Sequence, residues 1–129
     1  MTDTIDVLIS EDVIDARIRE LAAQIDADYA GKSVTLLCTL KGAVFFACEL
    51  AKRITVPVFM EFIQTASYVG TKSTGNVSMK LDVDDDAVKD KNIIIIEDVI
   101  DTGKTLSIVK EMIQAKNPAS LKVCSLLDK

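Results

Sequence analysis

The run Ile93-Ile94-Ile95-Ile96-Glu97-Asp98-Val99-Ile100-Asp101-Thr102-Gly103-Lys104-Thr105 constrains this chain more than any other part of it. An unbroken β-branched stretch has no polar face to turn to water, so it reads as a strand covered on both sides. Further strands are expected over 5–9, 34–40, 56–63 and 121–127, with the isoleucine run forming one over 92–96. Helices are expected over 11–28, 43–53 and 105–116. In the first helix Val13, Ile14, Ile18, Leu21, Ala22 and Ile25 recur at helical spacing behind the capping residue Ser10, and Gly31 ends the segment. Strands that alternate with helices make an α/β fold: a twisted parallel sheet with helices on both faces, in a single domain spanning 1–129. Residues 64–90 carry glycine and serine stops and the run Asp84-Asp85-Asp86. They read as a long, mobile loop or hairpin, with the acidic run a solvated turn.

The residues after the isoleucines carry the chemistry. Ligands of open parallel sheets sit beyond the carboxyl ends of the strands. Ionised Glu97 and Asp98 only accept hydrogen bonds, which suits the paired hydroxyls of a ribose. Asp101, Thr102, Gly103, Lys104 and Thr105 then offer backbone N–H groups and two hydroxyls at the start of a helix, a place for an anion. Gly103 lets the backbone approach closely. Asp-Thr-Gly alone would be read as an ordinary helix cap; the whole string points to a sugar-phosphate site. The Gly-Lys-Thr within it is not a nucleotide-triphosphate loop, because the required first glycine falls on Asp98.

Composition removes several alternatives. The chain has no histidine, which excludes histidine general bases, Ser-His triads and histidine-ligated zinc. Fifteen basic against twenty acidic residues give a net charge of −5, which argues against a nucleic-acid partner. The N-terminus shows no signal peptide, and no apolar run reaches membrane-spanning length, so no membrane partner is expected. Cys38, Cys48 and Cys124 lie in apolar contexts without metal spacing. They read as buried, reduced thiols of a cytoplasmic protein.

The central segment resembles the diphosphoribosyl signature of the type I phosphoribosyltransferases. Leu40-Lys41-Gly42 after a strand resembles their pyrophosphate loop, and Ser67-Tyr68 followed by Ser73-Thr74-Gly75 their mobile lid. Asn117-Pro118, then Val123-Cys124-Ser125-Leu126-Leu127-Asp128-Lys129, resembles the strand that ends in a base-binding lysine. In this order the motifs are those of the hypoxanthine-guanine branch.

That resemblance implies a purine-salvage enzyme. It would transfer the phosphoribosyl group of phosphoribosyl pyrophosphate to hypoxanthine or guanine, giving the nucleotide monophosphate, IMP or GMP, and pyrophosphate. Mg²⁺ is the implied cofactor, held mainly by substrate and water with indirect help from Glu97 and Asp98. Lys41 and Gly42 would meet the pyrophosphate, Glu97 and Asp98 the ribose, and residues 101–105 the 5′-phosphate. Asp101 would take the purine proton, Lys129 would donate to the exocyclic oxygen, and Ser67 and Tyr68 would close the lid. In the resembled family a further segment follows the position of Lys129, with a purine-stacking aromatic and another strand. The resemblance therefore implies a C-terminally truncated core with weakened base affinity, stacking being worth roughly 1–3 kcal/mol per base. It would have an unpaired sheet edge that favours a homo-oligomer. A domain that binds phosphoribosyl pyrophosphate or nucleotide without efficient turnover stays open beside the enzyme, as does a structural fragment with no ligand.

Overall fold

The computed structural model describes residues 11–66, 78–100 and 104–128. In chain order the elements are α1 (Glu11–Asp28), β1 (Val34–Thr39), α2 (Val44–Arg53), β2 (Val58–Ala66), β3 (Ser78–Leu81), α3 (Asp85–Val88), β4 (Asn92–Ile100), α4 (Lys104–Gln114) and β5 (Ser120–Asp128). The strand expected over 5–9 lies outside the described residues.

The strands form one sheet in the order β3-β2-β1-β4-β5. β1 is parallel to β2 and to β4, and β4 is parallel to β5. Alternation along each strand splits the core in two. Leu36 and Cys38 of β1 and Ile94 and Ile96 of β4 face α1 and α2, meeting Ile18, Leu21, Ile25, Phe46, Ala47 and Leu50. Leu37, Ile93 and Ile95 face the opposite way, onto Val88 of α3 and Val109 and Ile113 of α4. All four isoleucines are at most 2% exposed, as a strand covered on both faces requires.

Several boundaries differ from expectation for physical reasons. β2 runs on to Ala66 because β3 turns back against it, antiparallel, with a register irregularity between Gln64 and Thr65. Part of 64–90 is therefore ordered strand. The run Asp84-Asp85-Asp86 is exposed, as expected of a solvated run, but it is not a turn: it opens α3, where carboxylates suit the helix start. Lys116 reaches Asp85 at 2.6 Å and joins the end of α4 to this helix. Val13, expected on the core face of α1, is 58% exposed.

Polar ties fix α1 to its neighbours. Arg53 of α2 donates to Asp15 of α1 at 2.6 Å and to its own helix's Glu49 at 2.8 Å. The Asp26 carboxylate accepts the N–H groups of Thr55 and Val56 at 2.7 and 3.1 Å. Partial burial works against its charge, but those two backbone donors prevail and hold its pKa below the ordinary value.

Cys48 corrects the expectation of three buried thiols: it is exposed, while Cys38 and Cys124 are buried. Burial pushes both buried thiols up to about 11 from an ordinary 9.0. A thiol whose pKa is raised by folding favours the native state below its unfolded pKa and loses that contribution as pH climbs through its folded one. Stability should therefore fall between about pH 9 and about pH 11. At about pH 8 iodoacetamide should label Cys48 in the native protein and the other two only after unfolding. Equal labelling of all three by mass spectrometry would contradict this.

Candidate active site

The chain reverses direction across the sheet between β1 and β4. From β1 it moves outward through α2 to β2 and β3; it then returns to the other side of β1 as β4 and moves outward through α4 to β5. Two crossovers that depart in opposite directions leave a crevice between them at the carboxyl ends of the strands, the usual ligand position in open α/β sheets. The loop after β1 carries Lys41 and Gly42. The part of β4 that runs on past the end of β1 carries Glu97 and Asp98. Residues far apart in sequence are thus brought onto neighbouring strands on either side of the reversal.

The strand ends are staggered. β1 stops at Thr39, with Cys38 level with Ile96, so Glu97 is the first β4 residue beyond the β1–β4 register. β4 continues alongside β5 through Ile100, with Glu97 level with Ser125 and Ile100 level with Asp128. The acidic pair therefore sits within an extended strand rather than at its end, which corrects the expected boundary at 96. The openness comes from the early departure of β1, not from the end of β4.

The turn that carries Lys41 is held by backbone bonds. Leu40 N–H donates to Ile63 at 2.8 Å, Ala43 N–H to Thr39 at 3.3 Å and Val44 N–H to Lys41 at 3.2 Å. The Leu40–Lys41 peptide is cis. Lys41 and Gly42 are both exposed. α2 begins directly after this turn, with no acidic residue in its first turn and no side-chain cap. Its positive end is thus left for an anion at the same mouth. α4 starts at Lys104, with three residues between it and the end of β4.

The Glu97 side chain is half-buried. Its charge is felt at Cys38, where it adds to the larger effects of burial and of Cys48 in raising the thiol pKa. Thr39 donates its hydroxyl to the Ile96 carbonyl at 3.0 Å, tying β1 to β4 one residue before Glu97. Thr39 was not among the residues singled out from sequence, although a hydroxyl residue directly before Leu40-Lys41-Gly42 was a visible signal. Ser67, Tyr68, Asp101, Thr102, Gly103 and Lys129 lie outside the described residues, and of Asp98, Lys104 and Thr105 the backbone alone is described.

A phosphoribosyl transferase domain signature matches residues 8–129. The chain belongs to the phosphoribosyl transferase family. It is 41% identical over 129 residues to the hypoxanthine-guanine-xanthine phosphoribosyltransferase of Tritrichomonas foetus, covering all of this chain and 70% of that one. It is 43% identical to the hypoxanthine phosphoribosyltransferase of Haemophilus influenzae, across 97% of this chain and 72% of the relative. Among solved structures, a hypoxanthine-guanine phosphoribosyltransferase from Bacillus anthracis superposes with a TM-score of 0.88 at 37% identity, covering 99% of this chain and 76% of that one. These relatives place this phosphoribosyltransferase in the hypoxanthine-guanine branch and confirm the parallel core flanked by helices. No helix among the described residues is long and apolar enough to cross a membrane.

Proposed function

We propose that this phosphoribosyltransferase joins the ribose 5-phosphate group of phosphoribosyl pyrophosphate to a 6-oxopurine, hypoxanthine or guanine, and releases pyrophosphate. The observation that carries this reading is the single crevice at which the Lys41 turn and the Glu97-Asp98 strand meet. A substrate with a pyrophosphate on one side of a ribose and a 5′-phosphate on the other needs separate anion contacts on either side of two hydroxyl acceptors.

In the reaction the bond from the anomeric carbon to the pyrophosphate oxygen breaks and a bond from that carbon to a purine nitrogen forms. The ribose becomes cationic on the way, and Glu97 and Asp98 hold its hydroxyls and favour that charge. Lys41 and the amides around Gly42 receive the departing pyrophosphate. Thr102, Gly103, Lys104 and Thr105, at the start of α4, anchor the 5′-phosphate. Asp101 accepts the proton that the purine loses. Lys129 donates to the exocyclic oxygen, which favours oxopurines over adenine. Ser67 and Tyr68 close over the cation and keep water from it.

Magnesium fits this donor set. Among the described residues no three His, Cys, Asp or Glu side chains converge on a metal position. One or two carboxylates acting through water suit an ion that keeps most of its water and takes the rest of its oxygens from substrate phosphates. When bound it would supply charge neutralisation on the pyrophosphate; Glu97 and Asp98 would hold it indirectly.

The protein acts in this reading as a homo-oligomer in the cytoplasm. Phe45 of α2, at 84% exposure, supports an apolar surface covered by a second copy, and three free cysteines fit a reducing compartment. A coupled assay for pyrophosphate release with hypoxanthine and guanine, beside calorimetry with phosphoribosyl pyrophosphate and Mg²⁺, tests the proposal. Heat of binding and base-dependent release of pyrophosphate are expected. Absence of both would overturn it.

A further inference from the structure

The two halves of the crevice come from opposite sides of the reversal in strand order, and something must set their separation. Thr39 occupies the junction. Its carbonyl accepts the Ala43 N–H at 3.3 Å and so closes the turn that presents Lys41 and Gly42. Its hydroxyl donates to the Ile96 carbonyl at 3.0 Å, in the residue directly before Glu97. On its other flank the neighbouring Leu40 N–H is held by Ile63 of β2 at 2.8 Å. One residue thus fastens the pyrophosphate side by its main chain and the ribose side by its side chain.

We propose that Thr39 is a positioning residue that sets the distance between the Lys41 turn and the Glu97-Asp98 pair, and hence the fit to a substrate that spans both. This rests on the proposed phosphoribosyl pyrophosphate site. Only a ligand that touches both halves feels the spacing. Phosphoribosyl pyrophosphate does so through its pyrophosphate and its ribose hydroxyls; the free purine touches neither. Backbone pairing between β1 and β4 through Cys38 and Ile96 is independent of the hydroxyl, so the sheet persists without it. What is lost is the side-chain bond at the last point before the two strands part.

The test compares Thr39→Val, which keeps the branched shape and removes the donor, with Thr39→Ser, which keeps the donor. Small displacements of a bound substrate's anchors cost large factors in rate and binding, so Thr39→Val should raise the KM and the Kd for phosphoribosyl pyrophosphate about tenfold. The KM for the purine should stay unchanged, and Thr39→Ser should restore the wild-type values. General destabilisation would not separate the two substrates, and thermal melts of both variants check it directly. Wild-type binding of phosphoribosyl pyrophosphate by a folded Thr39→Val protein would overturn the inference. So would equal losses in the valine and serine variants. If the wild-type protein itself binds no phosphoribosyl pyrophosphate, the underlying reading of the site fails, which is a distinct result.

Discussion

Replacing Glu97 with Gln and Asp98 with Asn together should weaken binding of phosphoribosyl pyrophosphate by one to two orders of magnitude and leave the fold intact. The amide oxygens still accept, so what is lost is the charge assistance, about 1–1.5 kcal/mol per bond. Two such losses at ribose hydroxyls amount to about 2–3 kcal/mol, and each ~1.4 kcal/mol is a factor of ten in affinity. The fold should tolerate the change because both residues lie beyond the register with β1, where β4 pairs with β5 through its backbone. The amides also match the carboxylates in volume. Calorimetry measures the binding and circular dichroism the fold. Undiminished affinity with an unchanged spectrum would remove these residues from the ribose site.

The second large effect is expected at Asp101. The Asp101→Asn variant should bind phosphoribosyl pyrophosphate within a few-fold of wild type yet turn over about 10²–10⁴ times more slowly, the range for loss of a positioned general base. The amide keeps the size and one acceptor oxygen but cannot take the purine proton. The variant should also lose the acid-side limb of its pH–rate profile, since that limb reports the protonation of the missing carboxylate. Single-turnover kinetics across a pH series would show it. A variant with the wild-type profile and rate would assign the proton to another group.

Much of the sheet was legible because its signals are local. Four consecutive isoleucines demanded a strand covered on both faces, and Ile93 to Ile96 are buried between two helix layers. The spacing of Ile18, Leu21, Ala22 and Ile25 marked the core face of α1, and all four are buried. Val13 points to solvent because, at 3.6 residues per turn, it lies about 120° around the helix from the centre of that face, so strict spacing excludes it. The ends of strands were less legible. Nothing in the residues around Glu97 says that β4 continues; it continues because β5 runs beside it, a long-range fact. The antiparallel β3 answers the hairpin alternative for 64–90, but its bounds escaped for the same reason, since Ser78–Leu81 is short and gains its strand character from pairing with β2. At the site, motifs named the residue types proposed to act. The hydroxyl directly before Leu40-Lys41-Gly42 was visible, but its bond to Ile96 was not, because a partner 57 residues away leaves no local trace.

The strand order has a consequence for synthesis on the ribosome. β1 and β2 can pair as soon as both have emerged, and β3 can fold back on β2. β1, however, must keep its other edge open until β4 arrives, since its partner there is Ile93 to Ile96. During that interval a strand containing Val34, Leu36 and Leu37 is covered on one flank only, and unpaired apolar strand edges invite misassembly. The element that closes the edge is the same one that brings Glu97 and Asp98 to the crevice. Elongation past β4 therefore closes the β1 edge and delivers the proposed ribose contacts in a single event, and it passes the open edge on to β4 until β5 arrives.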